Sequence, residues 1–305
     1  ILINLILTLL YGFTEVKGQE NPNFYLHENG VTIMCPDASV GEKGEINGLV
    51  YTKRSNSQIT LENASTTCTS DITNFNSLFA YQDLENVDLS TWDVSKAQTM
   101  IEMFIGSYNV ETDLNYWNTS NVTHMGNMFE SSNFNQYIGD WDVSNVVNMS
   151  SMFAVNRAFN QNLNSWDVSN VRDMSSLFYG AIVFNGQISS WDVGNVTIMS
   201  SMFYSAEKFN QDISNWNVEN VIRMNSMFKN ATIFESDISN WNVSKVEKMS
   251  SMFMNTINFN SDLSLWDVQM VDDMDYMFYG AKRFYHNLNN WCTYNIIEEP
   301  LAFSN

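Results

Sequence analysis

WDVGNVTIMSSMFYSAEKFNQDISN, residues 191–215, is one copy of a unit that fills most of the chain. Its Trp recurs at 92, 117, 141, 166, 191, 216, 241, 266 and 291, and these are all nine Trp of the 305 residues. Every step is 25 residues except the 24 between Trp117 and Trp141. A fixed period in the range of about 20–50 residues marks a stacked array in which each unit is one turn of a coil.

Counting each Trp as position zero, +2 is Val in Val94, Val143, Val168, Val193, Val218, Val243 and Val268, with Thr119 the exception. Position +5 is Val from Val122 to Val271, and +8 is Met from Met100 to Met274. Position +11 is Met except Leu177, and +12 is Phe from Phe104 to Phe278. Small residues favour +15, Phe favours +18, and Ile or Leu fills +22. Trp and the Val two residues on share one side of a strand, because strand side chains alternate. The spacing of +8, +11, +12 and +15 by threes and fours predicts one face of a short helix or 3₁₀ turn.

The expected fold is therefore an α/β solenoid of 25-residue strand–turn–short-helix repeats with a parallel β face and a small N-terminal β cap. The repeat core is expected in Trp92, Trp141, Trp166, Trp191, Trp216, Trp241 and Trp266, and in Phe153, Phe178, Phe203, Phe228 and Phe253. At a strand spacing of about 4.8 Å the Trp rungs span on the order of 40 Å. Fifteen of the eighteen Met occupy +8 and +11. A flexible, polarizable side chain suits a narrow core, so no cofactor is needed to explain them.

WDVSNVVNMSSMF (141–153) and FNQDISNWNV (209–218) resemble the BspA-like leucine-rich-repeat surface proteins, the DUF285 repeat family. The likeness covers about residues 68–300. It implies a leucine-rich-repeat-like solenoid, a secreted or cell-surface location, and binding or adhesion rather than catalysis. No particular ligand is implied.

The formal net charge is −20, with only 14 Lys and Arg. That sign disfavours nucleic acid and anionic membrane as partners. Charged residues make up only 16%, which favours a polar, weakly charged shell.

Residues 1–18 begin with ILINLILTLLYGF and read as a signal-like apolar segment, with Val16 and Gly18 fitting a cut before Gln19. Residues 19–67 read as the β cap, from strand-like Val31–Cys35 and Leu49–Thr52 around Gly41, Gly44, Asn47 and Gly48. A degenerate first rung places Ile72, Phe75, Leu78 and Phe79 at +5, +8, +11 and +12 if Thr67 replaces the Trp. The array is assigned to 68–299 and a tail to 300–305, which the resemblance implies is cut short.

Cys35, Cys68 and Cys292 are the three cysteines. A Cys35–Cys68 disulfide is expected to tie the cap to the first rung. Cys292 sits in the column of Cys68 at the far end, beyond the ~7 Å Cα limit of a disulfide in one straight subunit. It is then free, separated from a partner in an absent tail, or bonded to another subunit.

Position +1 is Asp or Asn throughout, from Asp93 to Asp267. Stacked carboxylates repel, so these either accept turn hydrogen bonds or hold a cation, and the hydrogen-bonded reading is favoured. Asp212, Asp237 and Asp262 form a second acidic column at −4, read as a solvated face. Asn at +4, such as Asn121, Asn145, Asn170, Asn195 and Asn220, reads as a ladder satisfying turn backbone. Seven N-x-S/T sequons occur, of which Asn63, Asn118, Asn148, Asn230 and Asn242 are candidate glycan sites; Asn121 and Asn195 belong to the ladder.

His27, His124 and His286 are unrelated in position, and no catalytic or metal-binding motif occurs. The expectation is a non-enzymatic scaffold without a cofactor, contacting other proteins through −1, +1 and +3, and able to self-assemble head to tail into an extracellular fibre. The alternative is an adhesin-type module binding a host protein or glycan.

Overall fold

Two left-handed corners per repeat shape the chain in this computed structural model, which describes residues 21–304. The signal-like segment 1–18 and its cut site lie outside the described residues. Position +10 has positive φ in every rung, as in Ser151, Ser176, Ser201, Ser226 and Ser251. Position +14 does too, as in Ser205, Asn230, Asn255 and Gly280. Left-handed residues fall within the stretch where a short helix was expected, and a right-handed helix cannot contain them. The short helix is therefore absent from the repeats, and the only α-helix among the described residues is α1, Leu61–Ala64, in the cap.

Backbone bonding explains what replaces it. In the rung of Trp191, the N–H groups of Met199, Ser201, Phe203 and Ser205 donate to Arg223, Asn225, Met227 and Lys229 on the next rung. Between them, the N–H groups of Met202, Tyr204 and Ala206 donate to Met199, Ser201 and Phe203 of the same rung. Alternate peptides thus tie rungs together and close tight turns. The spacing by threes and fours was real, but it comes from turns bent around a corner.

The strand expectation also shifts. Parallel bridges between rungs run in a column at +7, from Asn74↔Thr99 to Lys248↔Asp273, with one more, Asp83↔Tyr108, between the first two rungs. Trp and the Val at +2 lie instead in an irregular stretch between two turns. They point inward together, as alternation requires, but without a ladder of their own.

The core runs unbroken through the rungs. The expected Trp and Phe are all buried, together with the Met at +8 and +11. Phe178 lies 5.8 Å from Phe203 and 3.8 Å from Phe184. Trp191 stacks on Trp216 at 6.2 Å. Burying one such ring is worth roughly 1.5–3 kcal/mol, so identical columns make each added rung favourable.

Each indole N–H also has a partner. Trp191 Nε1 donates to Leu163 O at 2.8 Å, and Trp117, Trp166, Trp241 and Trp291 make the same bond to the preceding rung. Where +15 is polar, it is still bonded: Thr256 donates to Phe228 O, and Asn156 to Phe134 O. The 24-residue rung drops one residue between Ser132 and Phe134, in the loop after the second corner, so the columns stay in register.

The cap pairs β1, Tyr25–Leu26, with β2, Ile33–Met34. A hairpin of β3, Lys43–Ile46, and β4, Leu49–Lys53, then joins β5, Thr67–Cys68, in parallel. Cys35 and Cys68 are disulfide-bonded with Cα atoms 6.3 Å apart. Beside them Lys53, almost buried, donates to Cys35 O, Pro36 O and Asp71. Its charge is matched by a carboxylate at 2.7 Å, as a buried ammonium requires.

Candidate interaction surfaces

The exposed corner around each Trp is built by side chains that cap their own turns. Asp142 accepts from the N–H and hydroxyl of Ser144, and Asp192 from Gly194 N–H. Asn118, Asn217, Asn242, Asp167 and Asp267 repeat the pattern. The +1 column is thus a row of local turns, with its carboxylates accepting the turn hydrogen bonds. Among the described residues no group of three or more His, Cys, Asp or Glu is arranged to hold a metal ion.

At +4 the amide groups link rungs. Asn121, Asn145, Asn170, Asn195 and Asn220 each donate Nδ2 to the +3 carbonyl of the rung before. The expected contact positions −1, +1 and +3 do lie on this corner, mostly exposed, but the corner is a row of turns and not a strand face.

The second acidic column is bonded in the same way. Asp212, Asp237 and Asp262 accept from the N–H of Ser214, Ser239 and Ser264. Those backbone bonds hold all three carboxyls below their ordinary pKa, outweighing repulsion along the column. Asp167 is lowered too, first by the Ser169 hydroxyl.

The candidate glycan sites divide. Asn118 and Asn242 are exposed, though their oxygens cap turns. Asn148 is half-buried, binds Ser150 and sits in the bridge column, so its sequon is engaged within the fold. Asn230 occupies a left-handed corner and bonds Ser205 and Asn255 on both neighbouring rungs. Asn63 is half-buried against Gln58 and Thr60. Cys292 is a free, exposed thiol.

One lateral feature escaped the sequence reading. The +13 column carries Tyr179, Tyr204, Lys229, Met254 and Tyr279 on successive rungs. Tyr179 and Tyr204 stack at 4.6 Å, and Lys229 Nζ lies 5.3 Å from the Tyr204 ring centre. The residue types vary along the column, so periodicity alone did not pick it out.

The two ends differ from the middle. At +11 every full rung is buried, yet Leu78 at one end and Phe303 at the other are half-buried. Trp291 and Ile296 are likewise only partly covered. A cavity of about 680 Å³ opens beside the first rung, lined by Arg54, Ser55, Asn56, Thr73, Asn74 and Asn76 among others.

The repeat that builds these surfaces matches the family model "Mycoplasma protein of unknown function, DUF285" over residues 49–136, 108–214 and 209–305. The chain belongs to the DUF285 family. No curated protein and no solved structure matches it. Each match in this DUF285 chain spans several rungs, and the first begins at Leu49, the start of β4. No helix of the described residues is long and apolar enough to cross a membrane.

Proposed function

We propose that this DUF285 chain is a non-enzymatic, solenoid-type scaffold, secreted or on the cell surface, that acts through protein–protein contacts and associates end to end. The observation that carries this reading is the contrast between the sides and the ends of the stack. Along the sides, corner carboxylates and amides are spent on their own turns and on neighbouring rungs. In the first and last described rungs, Leu78 and Phe303 in the +11 column are only half-buried. In a stack of like units, each interface formed between neighbours adds stability. The Cys35–Cys68 disulfide supports an oxidising compartment. The resemblance of the repeat to BspA-like leucine-rich-repeat surface proteins supports this reading, although these rungs turn through left-handed corners and not helices.

A second reading is an adhesin-type module for a foreign protein or glycan, favoured by the Tyr179–Tyr204–Lys229 stripe. Sedimentation velocity over a wide concentration range separates the two. A sedimentation coefficient that rises with concentration supports the scaffold. A single unchanging species supports the adhesin.

A further inference from the structure

Two cavities at the junction of cap and array run into each other. The cavity of about 680 Å³ between β4 and the first rung shares Asp71 and Thr73 with a second of about 550 Å³. The second is lined by the +4 and +6 residues of three successive rungs: Asp71 and Thr73, Lys96 and Gln98, Asn121 and Thr123. Arg54, at the end of β4, stands one strand spacing before the first rung, because β4 pairs with β5 in parallel. The two cavities thus form one groove along the stack, with Arg54 and Lys96 two spacings, about 10 Å, apart along its axis.

The groove reverses the sign of the molecule around it. Its charged lining is Lys53, Arg54 and Lys96 against the one carboxylate of Asp71, in a chain of net charge −20. Lys53 and Asp71 pair at 2.7 Å, which among the described residues leaves Arg54 and Lys96 without a carboxylate. At physiological salt, exposed charges are screened over about 8 Å. A ligand lying in the groove therefore responds to these two cations more than to the carboxylates of distant rungs.

Its side-chain donors are also unengaged. The Asn residues at +4 give Nδ2 to a carbonyl of the rung before, from Asn121 to Asn220. Lys96 at +4 is exposed, and its Nζ bonds nothing among the described residues. The same holds for Asn74 Nδ2, Asn76 Nδ2 and Gln98 Nε2, while the side-chain oxygens of Asn74 and Asn76 accept bonds within the fold. Arg54 bonds through Nη1, to Asn63 O, Thr66 O and Thr67 Oγ1, which leaves Nε and Nη2 free among the described residues. The backbone, in contrast, is occupied: Thr73 O accepts from Gln98 and Thr99, and Gln98 O from Thr123.

We propose that this groove binds an acidic oligosaccharide, a chain of sugars bearing carboxylates, with Arg54 and Lys96 on two carboxylates and the amides of Asn74, Asn76 and Gln98 on hydroxyl oxygens. The site goes beyond the end-to-end reading and does not depend on it. Nε and Nη2 of Arg54 form a fork that matches a carboxylate in two parallel bonds. A peptide gains affinity by adding to a free strand edge or by filling side-chain pockets. Here the carbonyls of Thr73 and Gln98 are already bonded from rung to rung, and the apolar lining is confined to Ala38, Val40 and Ile72 at the cap end. A neutral sugar is held by laying its C–H face on an aromatic ring, and no aromatic ring among the described residues lines the groove. Cations and amide donors together fit a sugar chain that carries carboxylates.

The test is isothermal titration calorimetry on the full chain, at low and at physiological salt, with hexagalacturonate, maltohexaose and hexaglutamate as probes. Hexagalacturonate is expected to bind, less tightly as salt rises, and the other two at least about tenfold more weakly. Lys96→Glu is expected to weaken hexagalacturonate binding by about tenfold or more, since repulsion replaces a charged hydrogen bond. Lys245→Glu, the same change at +4 on a distant rung, should leave binding as it was. Lys96 holds nothing in the fold, and an unaltered melting temperature of the variant checks this. Hexaglutamate binding as tightly as hexagalacturonate overturns the sugar assignment in favour of an acidic peptide, and maltohexaose binding as tightly overturns the role of charge. No binding of hexagalacturonate, or full binding by Lys96→Glu, overturns the site. The end-to-end reading is judged separately, by sedimentation without any sugar present.

Discussion

Backbone chirality decides the shape of each rung, and the residues that bear its cost are identifiable. Corners at +10 and +14 demand positive φ, which Gly, Asn and Ser meet more cheaply than a β-branched residue. Val155 stands at a +14 corner with φ 56°. Gly106, Gly180 and Gly280 fill the same corner in other rungs. Val155→Gly is expected to raise stability by about 1 kcal/mol in denaturant unfolding, because relief of strain exceeds the added freedom of the unfolded chain. Carboxylates set the acid limit. Asp167, Asp212, Asp237 and Asp262 titrate below their ordinary value because they cap turns when ionised. Their contribution is complete above the unfolded carboxylate pKa of about 3.9 and is lost as pH falls through the lowered folded values. The melting temperature should fall as pH drops below about 4, and Asp237→Asn should flatten that fall.

The rung is the element of this fold, and it is interchangeable. Columns stay in register across the 24-residue rung because the missing residue falls in a loop outside the bonded stretch. Deleting residues 191–215, which joins Ser190 to Trp216, should therefore leave a folded protein with the Cys35–Cys68 bond intact. Deleting residues 201–212 alone should abolish cooperative unfolding, since it breaks the +11, +12 and +18 columns at once. The sequence made this element legible through its inward residues: Trp191, Val193, Met199 and Phe203 name the core without a structure. It did not show how the backbone turns between them. Met199, Met202 and Phe203 have the same spacing on a helix face and on a chain bent by left-handed Ser201. The distinguishing residue is a Ser, which fits either conformation, so the helix was the natural misreading. The disulfide was readable from the column shared by Cys68 and Cys292, which left Cys35 as the nearby partner. The direction of the rung-to-rung backbone bonds was not, because it leaves no mark on residue identity.

At the scale of the molecule, one unbroken core runs through the stack, and the proposed assembly would extend it. Ten rungs, from the Thr67 position to Trp291, at about 4.8 Å each give an axial length of about 50 Å. If copies associate end to end as proposed, a heterologous contact of this kind propagates unless its rotation closes a ring. The adhesin reading instead leaves each stack alone, with its ligand on the Tyr179–Tyr204 side. Electron microscopy of the natively purified protein, at high concentration and with or without reductant, tests this most directly. The account predicts unbranched filaments with an axial repeat of about 50 Å that survive reduction, since end-to-end stacking needs no disulfide. Isolated short rods at every concentration would contradict it.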